Sequence, residues 1–330
     1  MQKRNRYSTQ LSAIYFFSIY DIIIKQNFGS VKKLDVFYNF HLRQQTNAKF
    51  CKYKNEEKIT MSEMKKAILV VSFGTSVNET REKTIDKIEE DIAAAFPGYS
   101  VRRAWTSGMI IRKIQKRDGI KIDTVKEAMD RLVEEGFTEV IIQPTHILNG
   151  IENDFMIADV KSYSDKFERI SFGTALLTTT EDNLAVIDAI RNEFPHVPDD
   201  EALVFMGHGT EHYTNTVYAA MDFTLKDHWH NNIFMGTVEA YPSVETMIKL
   251  VRELGPTKVH LAPFMIVAGD HAINDMAGEG PESWKNIFKN EGYNVVCHIK
   301  GIGEYPGIRS IFVEHARQAI EGHKEHKPMP

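Results

Sequence analysis

Between residues 65 and 320, short apolar runs rich in β-branched residues alternate with longer runs that have helical spacing. The run AILVVSF at 67–73 is typical of a buried strand, and apolar positions recur at helical spacing over 78–96. The same criteria predict strands at 67–73, 101–105, 139–143, 170–175, 203–206, 233–238, 258–262 and 294–298. They predict helices at 78–96, 124–135, 183–194, 217–225, 244–254, 281–290 and 308–320. Continuously apolar strands that alternate with helices indicate parallel sheets covered on both faces, an α/β fold.

The pattern also restarts halfway, which indicates an internal duplication. AILVVSFGTS at 67–76 resembles ALVFMGHGTE at 202–211, VRRAWTS at 101–107 resembles TVEAYPS at 237–243, and EVIIQPTHILNG at 139–150 resembles KVHLAPFMIVAG at 258–269. The three blocks recur in the same order, with offsets of 135, 136 and 119 residues. We therefore predict two similar Rossmann-like lobes, 64–195 and 200–330, that face each other across a central cleft. Such clefts bind ligands at the carboxyl ends of the strands.

Charge separates the first 63 residues from the rest. They carry 11 Lys and Arg against 5 Asp and Glu, whereas the remainder has a net charge of −11, which disfavours nucleic acid as a partner. We interpret 1–63 as an N-terminal extension, disordered or added by an upstream start codon, with Met61 or Met64 as the functional start. The alternative is an anchor or export signal, because the apolar stretch 11–24 follows basic residues. However, Asp21 interrupts that stretch and no cleavage site follows it. No membrane span is predicted anywhere.

Candidate metal ligands occur in the second half alone. His208, Glu239 and His271 each follow a predicted strand, so all three fall on one edge of the sheet. The duplication places different residues at the matching positions of the first half, namely Phe73, Arg103 and Glu152. Two imidazoles and a carboxylate suit a borderline divalent ion such as Co²⁺, Fe²⁺, Ni²⁺ or Zn²⁺.

Several other sites are disfavoured by the sequence. Two cysteines, Cys51 and Cys297, cannot form a disulfide framework or a Cys-rich zinc site. The chain lacks HExxH, which disfavours a zincin protease, and GxSxG, so it has no nucleophile elbow. It also lacks GxGxxG and the P-loop signature, and no organic cofactor is expected. His146 also follows a predicted strand and could reach substrate across the cleft, although a structural role is equally compatible. We interpret His228 and His323 as structural or solvated.

Four segments together resemble a known family. They are MKKAILVVSFGTS, MGHGTEH, GTVEAYP and especially PFMIVAGDHAINDM, and they resemble the anaerobic sirohydrochlorin cobaltochelatases, class II chelatases of vitamin B12 synthesis. The resemblance runs from about residue 64 to 320. It implies two flavodoxin-like lobes that enclose a tetrapyrrole, with His208, Glu239 and His271 as metal ligands.

The activity implied by the resemblance is insertion of Co²⁺ into sirohydrochlorin in the cytoplasm, without ATP. Fe²⁺ insertion, Ni²⁺ insertion and a non-catalytic haem or metal carrier on the same scaffold remain alternatives. We favour His208 as the proton acceptor and His271 with Glu239 as metal holders, although any of the three could do both. The substrate carries eight carboxylates, for which we expect Arg103, His146 and the N–H groups of Gly74 and Thr75 as partners. Whether the chain forms a homo-oligomer is left open.

Overall fold

The computed structural model describes residues 65–322, and the extension predicted over 1–63 lies outside the described residues. Two four-stranded sheets, all parallel, organise this part of the chain. The strands are β1 (Lys66–Ser72), β2 (Ser100–Trp105), β3 (Glu139–Pro144), β4 (Arg169–Phe172), β5 (Glu201–Gly207), β6 (Ile233–Thr237), β7 (Lys258–Phe264) and β8 (Asn294–Cys297). Every predicted strand is present, and the predicted α/β class with two parallel sheets is confirmed. No helix in this part of the chain is long and apolar enough to cross a membrane.

The two sheets repeat one topology. The strand order is β2-β1-β3-β4 in the first sheet and β6-β5-β7-β8 in the second, so each strand has a counterpart four strands later. The strands β1 and β5 both run into a glycine with positive φ, Gly74 at +99° and Gly209 at +87°. We call β1–β4 with their connecting helices the first lobe, and β5–β8 with theirs the second lobe. The repeated order agrees with the duplication deduced from the sequence.

Helices connect the strands. They are α1 (Asn78–Lys83), α2 (Ile85–Ala95), α3 (Gly108–Asp118), α4 (Val125–Glu134), α5 (Ile151–Lys161), α6 (Thr180–Glu193), α7 (Thr216–His228), α8 (Val244–Leu254), α9 (Trp284–Asn290) and α10 (Pro306–Glu321). The single helix predicted over 78–96 is wrong, because the buried Thr84 has φ −124° and ψ −82° and separates α1 from α2. The helices α3 and α5 were not predicted.

The last helix packs on the lobe in which the chain begins. Helix α10 lies against α2, α6 and the strands β3 and β4, all in the first lobe. Arg309 of α10 forms an ion pair with Asp91 at 2.6 Å, and His315, 2% exposed, lies 2.9 Å from an Asp182 carboxylate oxygen. Helix α6 conversely packs against α7 of the second lobe. Side chains from both sheets therefore share one large apolar core, and the proposed boundary between 195 and 200 remains a prediction.

Candidate metal centre

Backbone hydrogen bonds place His208 beside Glu239. The ladder between β5 and β6 continues past the strand ends, with Val238 N–H donating to Gly207 O and Glu239 N–H donating to His208 O, both at 2.9 Å. Two residues far apart in sequence thus become neighbours across adjacent strands. This is the meeting at one sheet edge that the sequence predicted.

A glycine makes that approach possible. Gly209 has a φ of +87°, and a Cβ atom there would lie 2.8 Å from the Cβ of Ala240. Beneath the turn, the buried Tyr218 ring packs against Gly207, and its hydroxyl lies near the N–H groups of His208 and Gly209. Burial raises the pKa of Tyr218 to about 12, so its hydroxyl is protonated at neutral pH. The turn that carries His208 is therefore held by the hydrogen bonds to the end of β6 and by packing against Tyr218.

His271 reaches the same place from β7 through a longer connection. The loop after β7 is tied to residues 301–303, since Ile302 N–H donates to Met265 O at 2.9 Å and Gly303 N–H donates to Ile266 O at 3.0 Å. His271 then begins a short π-helix, His271–Met276. Such π-helical turns are rare and are frequently found at functional sites.

The three candidate ligands form a single cluster. One ligand atom from each of His208, Glu239 and His271 lies within 4.8 Å of the other two. One Glu239 carboxylate oxygen is 3.6 Å from His208 Nδ1, and the other is 3.8 Å from His271 Nε2. Two ligand atoms bound at about 2.1 Å to one ion are at most about 4.2 Å apart, and the Glu239 oxygen and His271 Nε2 already lie within that distance. All three side chains are at least 30% exposed, which leaves room for further ligands.

Hydrogen bonds define how each imidazole is presented. His208 Nδ1 lies 2.8 Å from the carbonyl oxygen of Gly209, and His271 Nδ1 lies 2.5 Å from the Asp275 carboxylate. Both acceptors require a proton on Nδ1, so the neutral form of each imidazole has its lone pair on Nε2. Asp275 was missed at the sequence level, although its position four residues after His271 is a spacing that helices bring together.

His146 lies at the end of β3 in the first lobe. Both ring nitrogens are inaccessible to solvent, and neither makes a hydrogen bond of normal geometry with the described residues, although Asn153 lies close enough to influence the ring. Desolvation lowers the pKa of His146 to about 4. The side chain is therefore neutral at pH 7, and any interaction with a substrate carboxylate would be a hydrogen bond and not an ion pair.

Arg103 has partners within its own lobe. Its Nε donates to one Glu89 carboxylate oxygen at 2.8 Å, its Nη2 donates to the other at 2.6 Å, and Asp86 adds a further ion pair. Burial raises the pKa of Glu89, against the opposing effect of the Arg103 guanidinium. The structure does not bring Arg103 into the metal cluster, and use of these donors by substrate would require breaking the pairs.

The first lobe meets the second near the cluster. Thr75 Oγ1 lies 3.8 Å from where a Cβ of Gly269 would stand, two residues before His271. His212 Nε2 lies 3.4 Å from an Asp154 carboxylate oxygen on α5. Gly74 itself packs on Trp105, where a Cβ would lie 2.5 Å from the indole ring. Gly74 and Thr75, two of the predicted substrate residues, therefore lie in the loop after β1, and this loop approaches the segment that carries His271.

Exposed apolar side chains collect where the strands end. They follow β1, β2, β3, β5, β6 and β7, although other exposed apolar side chains lie elsewhere on the surface. This set, which we call the apolar rim, consists of Phe73, Met109, Ile151, Phe155, Tyr213, Tyr241 and Ile273. Sequence reasoning missed the apolar rim, because an apolar residue beside a strand is expected to be buried. A large flat apolar ligand would cover such side chains.

Comparisons with known proteins identify the family and the fold. Residues 66–321 match the family described as cobalt chelatase (CbiK). The chain is 44% identical over 257 residues to the sirohydrochlorin cobaltochelatase of Salmonella typhimurium, spanning 78% of this chain and 97% of that protein. It is 32% identical over 262 residues to the sirohydrochlorin cobaltochelatase CbiKC of Nitratidesulfovibrio vulgaris, spanning 78% of this chain and 91% of that protein. Among solved structures, SirB from Bacillus subtilis with Fe³⁺ has a TM-score of 0.55 at 18% identity, over 79% of this chain and 98% of that one. At this level of identity, the similarity to SirB shows a shared fold only.

Proposed function

The chain belongs to the cobalt chelatase (CbiK) family, and from that membership we propose that it is a sirohydrochlorin cobaltochelatase. The enzyme inserts Co²⁺, a metal substrate, into the tetrapyrrole sirohydrochlorin. The observation that carries this proposal is the convergence of His208, Glu239 and His271 within 4.8 Å at the carboxyl edge of the second sheet. We also propose a cytoplasmic location, which cell fractionation would test.

The donor set suits the chemistry of insertion. A metal ion must lose water ligands, and two pyrrole N–H protons must leave as the metal–nitrogen bonds form. His271 and Glu239 hold the incoming cation, since a carboxylate between two imidazoles retains a divalent charge. His208 accepts the two pyrrole protons one after the other at Nε2 and passes each to solvent, because a neutral imidazole can take a proton near neutral pH and this side chain is exposed. Three protein ligands leave coordination positions for the macrocycle nitrogens.

The apolar rim supports a tetrapyrrole as the second substrate. A macrocycle offers two broad apolar faces and a charged periphery. The apolar rim side chains come from both lobes, so residues of either lobe are available to contact such faces. Thr75 lies close to Gly269, two residues before His271, so the first lobe contacts the segment that carries one of the proposed ligands.

Substitution of the three ligands tests the proposal. We expect His208→Ala, Glu239→Gln and His271→Ala to lower the rate of Co²⁺ insertion by about 10²–10⁴-fold, the usual effect of losing a positioned acid–base group. His228→Ala is the matched control, since His228 is half-exposed at the end of α7 and pairs with Asp227. Thermal unfolding must match the parent protein in each variant. Near-parental rates in both histidine variants would refute the metal centre.

Metal preference is measured in the same assay. Imidazole and carboxylate ligands accept Co²⁺, Fe²⁺ and Ni²⁺, so the ligand set does not discriminate among them. We expect the highest kcat/KM with Co²⁺ when each ion is supplied with free sirohydrochlorin. Stoichiometric binding without turnover would contradict the enzymatic proposal and favour a carrier.

A further inference from the structure

The ring of His271 is held by a carboxylate that lies outside the candidate ligand set. Its Nδ1 lies 2.5 Å from one carboxylate oxygen of Asp275, four residues further along the π-helix. Among residues 65–322, no lysine or arginine forms an ion pair with Asp275, and His271 is its hydrogen-bond partner. Within the described part of the chain, His271 is therefore the partner of this carboxylate.

This contact decides which nitrogen of His271 faces the metal. A carboxylate can only accept, so the proton of the imidazole is on Nδ1 and the lone pair is on Nε2. Nε2 is the nitrogen that lies 3.8 Å from Glu239. Without the acceptor, the ring could rotate or adopt the other tautomer, and the lone pair would leave the cluster.

The two histidines of the cluster differ in this respect. The Nδ1 proton of His208 is donated to the neutral carbonyl oxygen of Gly209 at 2.8 Å, whereas that of His271 is donated to a charged carboxylate. Charge-assisted hydrogen bonds are roughly twice as strong as neutral ones, and a carboxylate partner makes the opposite ring nitrogen a better metal donor.

We propose that Asp275 is a positioning residue, which holds the ring of His271 so that Nε2 is directed at the metal cluster. The inference rests on the proposed function and adds to it one residue, Asp275, which supports the metal donor His271. Asp275 acts through His271 and touches neither substrate.

A neighbouring pair provides a matched control. Asp270 accepts a hydrogen bond from Asn274 Nδ2 at 2.9 Å, with the same spacing of four residues and one position earlier. That pair contacts neither imidazole of the cluster. Asp270→Asn therefore removes a carboxylate from the same short helix without touching the support of His271.

The experiment titrates the full-length protein with Co²⁺ and follows the visible absorption of the bound ion. We expect Asp275→Ala, which removes the acceptor, to weaken Co²⁺ binding by about 10–100-fold, the usual effect of losing a partner behind a metal ligand. Asp275→Asn keeps an acceptor oxygen but removes the charge, so it should weaken binding by about 10-fold. Asp270→Asn should stay within about 2-fold, and all of these variants should unfold at the parental temperature. In turnover, Asp275→Asn should raise the KM for Co²⁺ more than it lowers kcat.

A double-variant cycle separates positioning from a structural role. In a His271→Ala background, Asp275→Asn should cause no further loss of kcat/KM, because the residue it positions is gone. An equal loss in both backgrounds, or parental Co²⁺ binding by Asp275→Asn, would overturn the inference and leave the proposed function intact. A parent protein that binds no Co²⁺ would instead refute the proposed function and the inference with it.

Discussion

Burial of His146 should make the free energy of unfolding fall as the solution becomes acidic. The pKa of this side chain is lowered from 6.5 to about 4 by desolvation, so below pH 6.5 the unfolded chain takes up the proton before the folded chain does. Protonation therefore favours unfolding, and stability present above pH 6.5 is lost as the pH falls towards 4. One pKa unit corresponds to about 1.4 kcal/mol, so at pH 5 the loss due to His146 is about 2 kcal/mol relative to pH 8.

Urea unfolding at pH 8 and pH 5 measures this quantity. His146→Phe keeps a ring of similar size and removes both unpartnered nitrogens. The difference in unfolding free energy between the two pH values should be about 2 kcal/mol smaller in this variant than in the parent. A packing change affects both pH values alike and cancels in that difference. The exposed His228 provides the control, and His228→Gln should show a smaller effect. An unchanged pH dependence in His146→Phe would refute the reasoning.

Three further results are expected. Gly209→Ala should lose about 1–3 kcal/mol of unfolding free energy and weaken Co²⁺ binding, whereas Gly255→Ala, which also has positive φ but meets nothing within 4 Å, should lose less. Equal losses in thermal unfolding would contradict the close approach at Ala240. Phe155→Ser should raise the KM for sirohydrochlorin without changing stability. Phe223 is exposed in the middle of α7, away from the apolar rim, so Phe223→Ser should leave the KM unchanged. Equal KM values in the two variants would show that the apolar rim does not contact the substrate. A chain beginning at Met64 should insert Co²⁺ at the parental rate, and loss of activity in the purified protein would show that residues 1–63 take part.

The strands could be predicted from the sequence because burial on both faces leaves a continuous apolar run, as in AILVV of β1. Helix α3 was missed because GMIIRKIQKRD has only two buried positions, Ile111 and Ile114. The sequence did contain a signal for this helix. The spacing between matching segments falls from 136 residues at β2 and β6 to 119 at β3 and β7, so the first lobe must have extra residues between β2 and β3. Helix α5 leaves Ile151 and Phe155 exposed, so it has no clear apolar stripe.

The candidate site was predictable to the extent that it follows from strand order. His208, Glu239 and His271 follow three neighbouring parallel strands, whose carboxyl ends share one edge. The hydrogen-bond and ion-pair partners of the site side chains could not be predicted from strand order. The contact of Asp275 depends on the ring orientation of His271, and the pairing of Arg103 with Glu89 depends on how α2 packs against β2. These are consequences of tertiary packing and not of local pattern.

The position of α10 has a consequence for how the protein can be made. The first lobe gains one of its covering helices from the far end of the chain, and Arg169 of β4 donates to the carbonyl oxygen of Ile320 at 2.6 Å. A ribosome-bound chain that has released only β1–β4 therefore exposes apolar surface that α10 later covers, including the environment of the fully buried Phe312. Folding of the earliest strands is completed only when the final helix has left the ribosome exit tunnel. For the same reason, cutting the connection at 195–200 would leave two fragments that hold together.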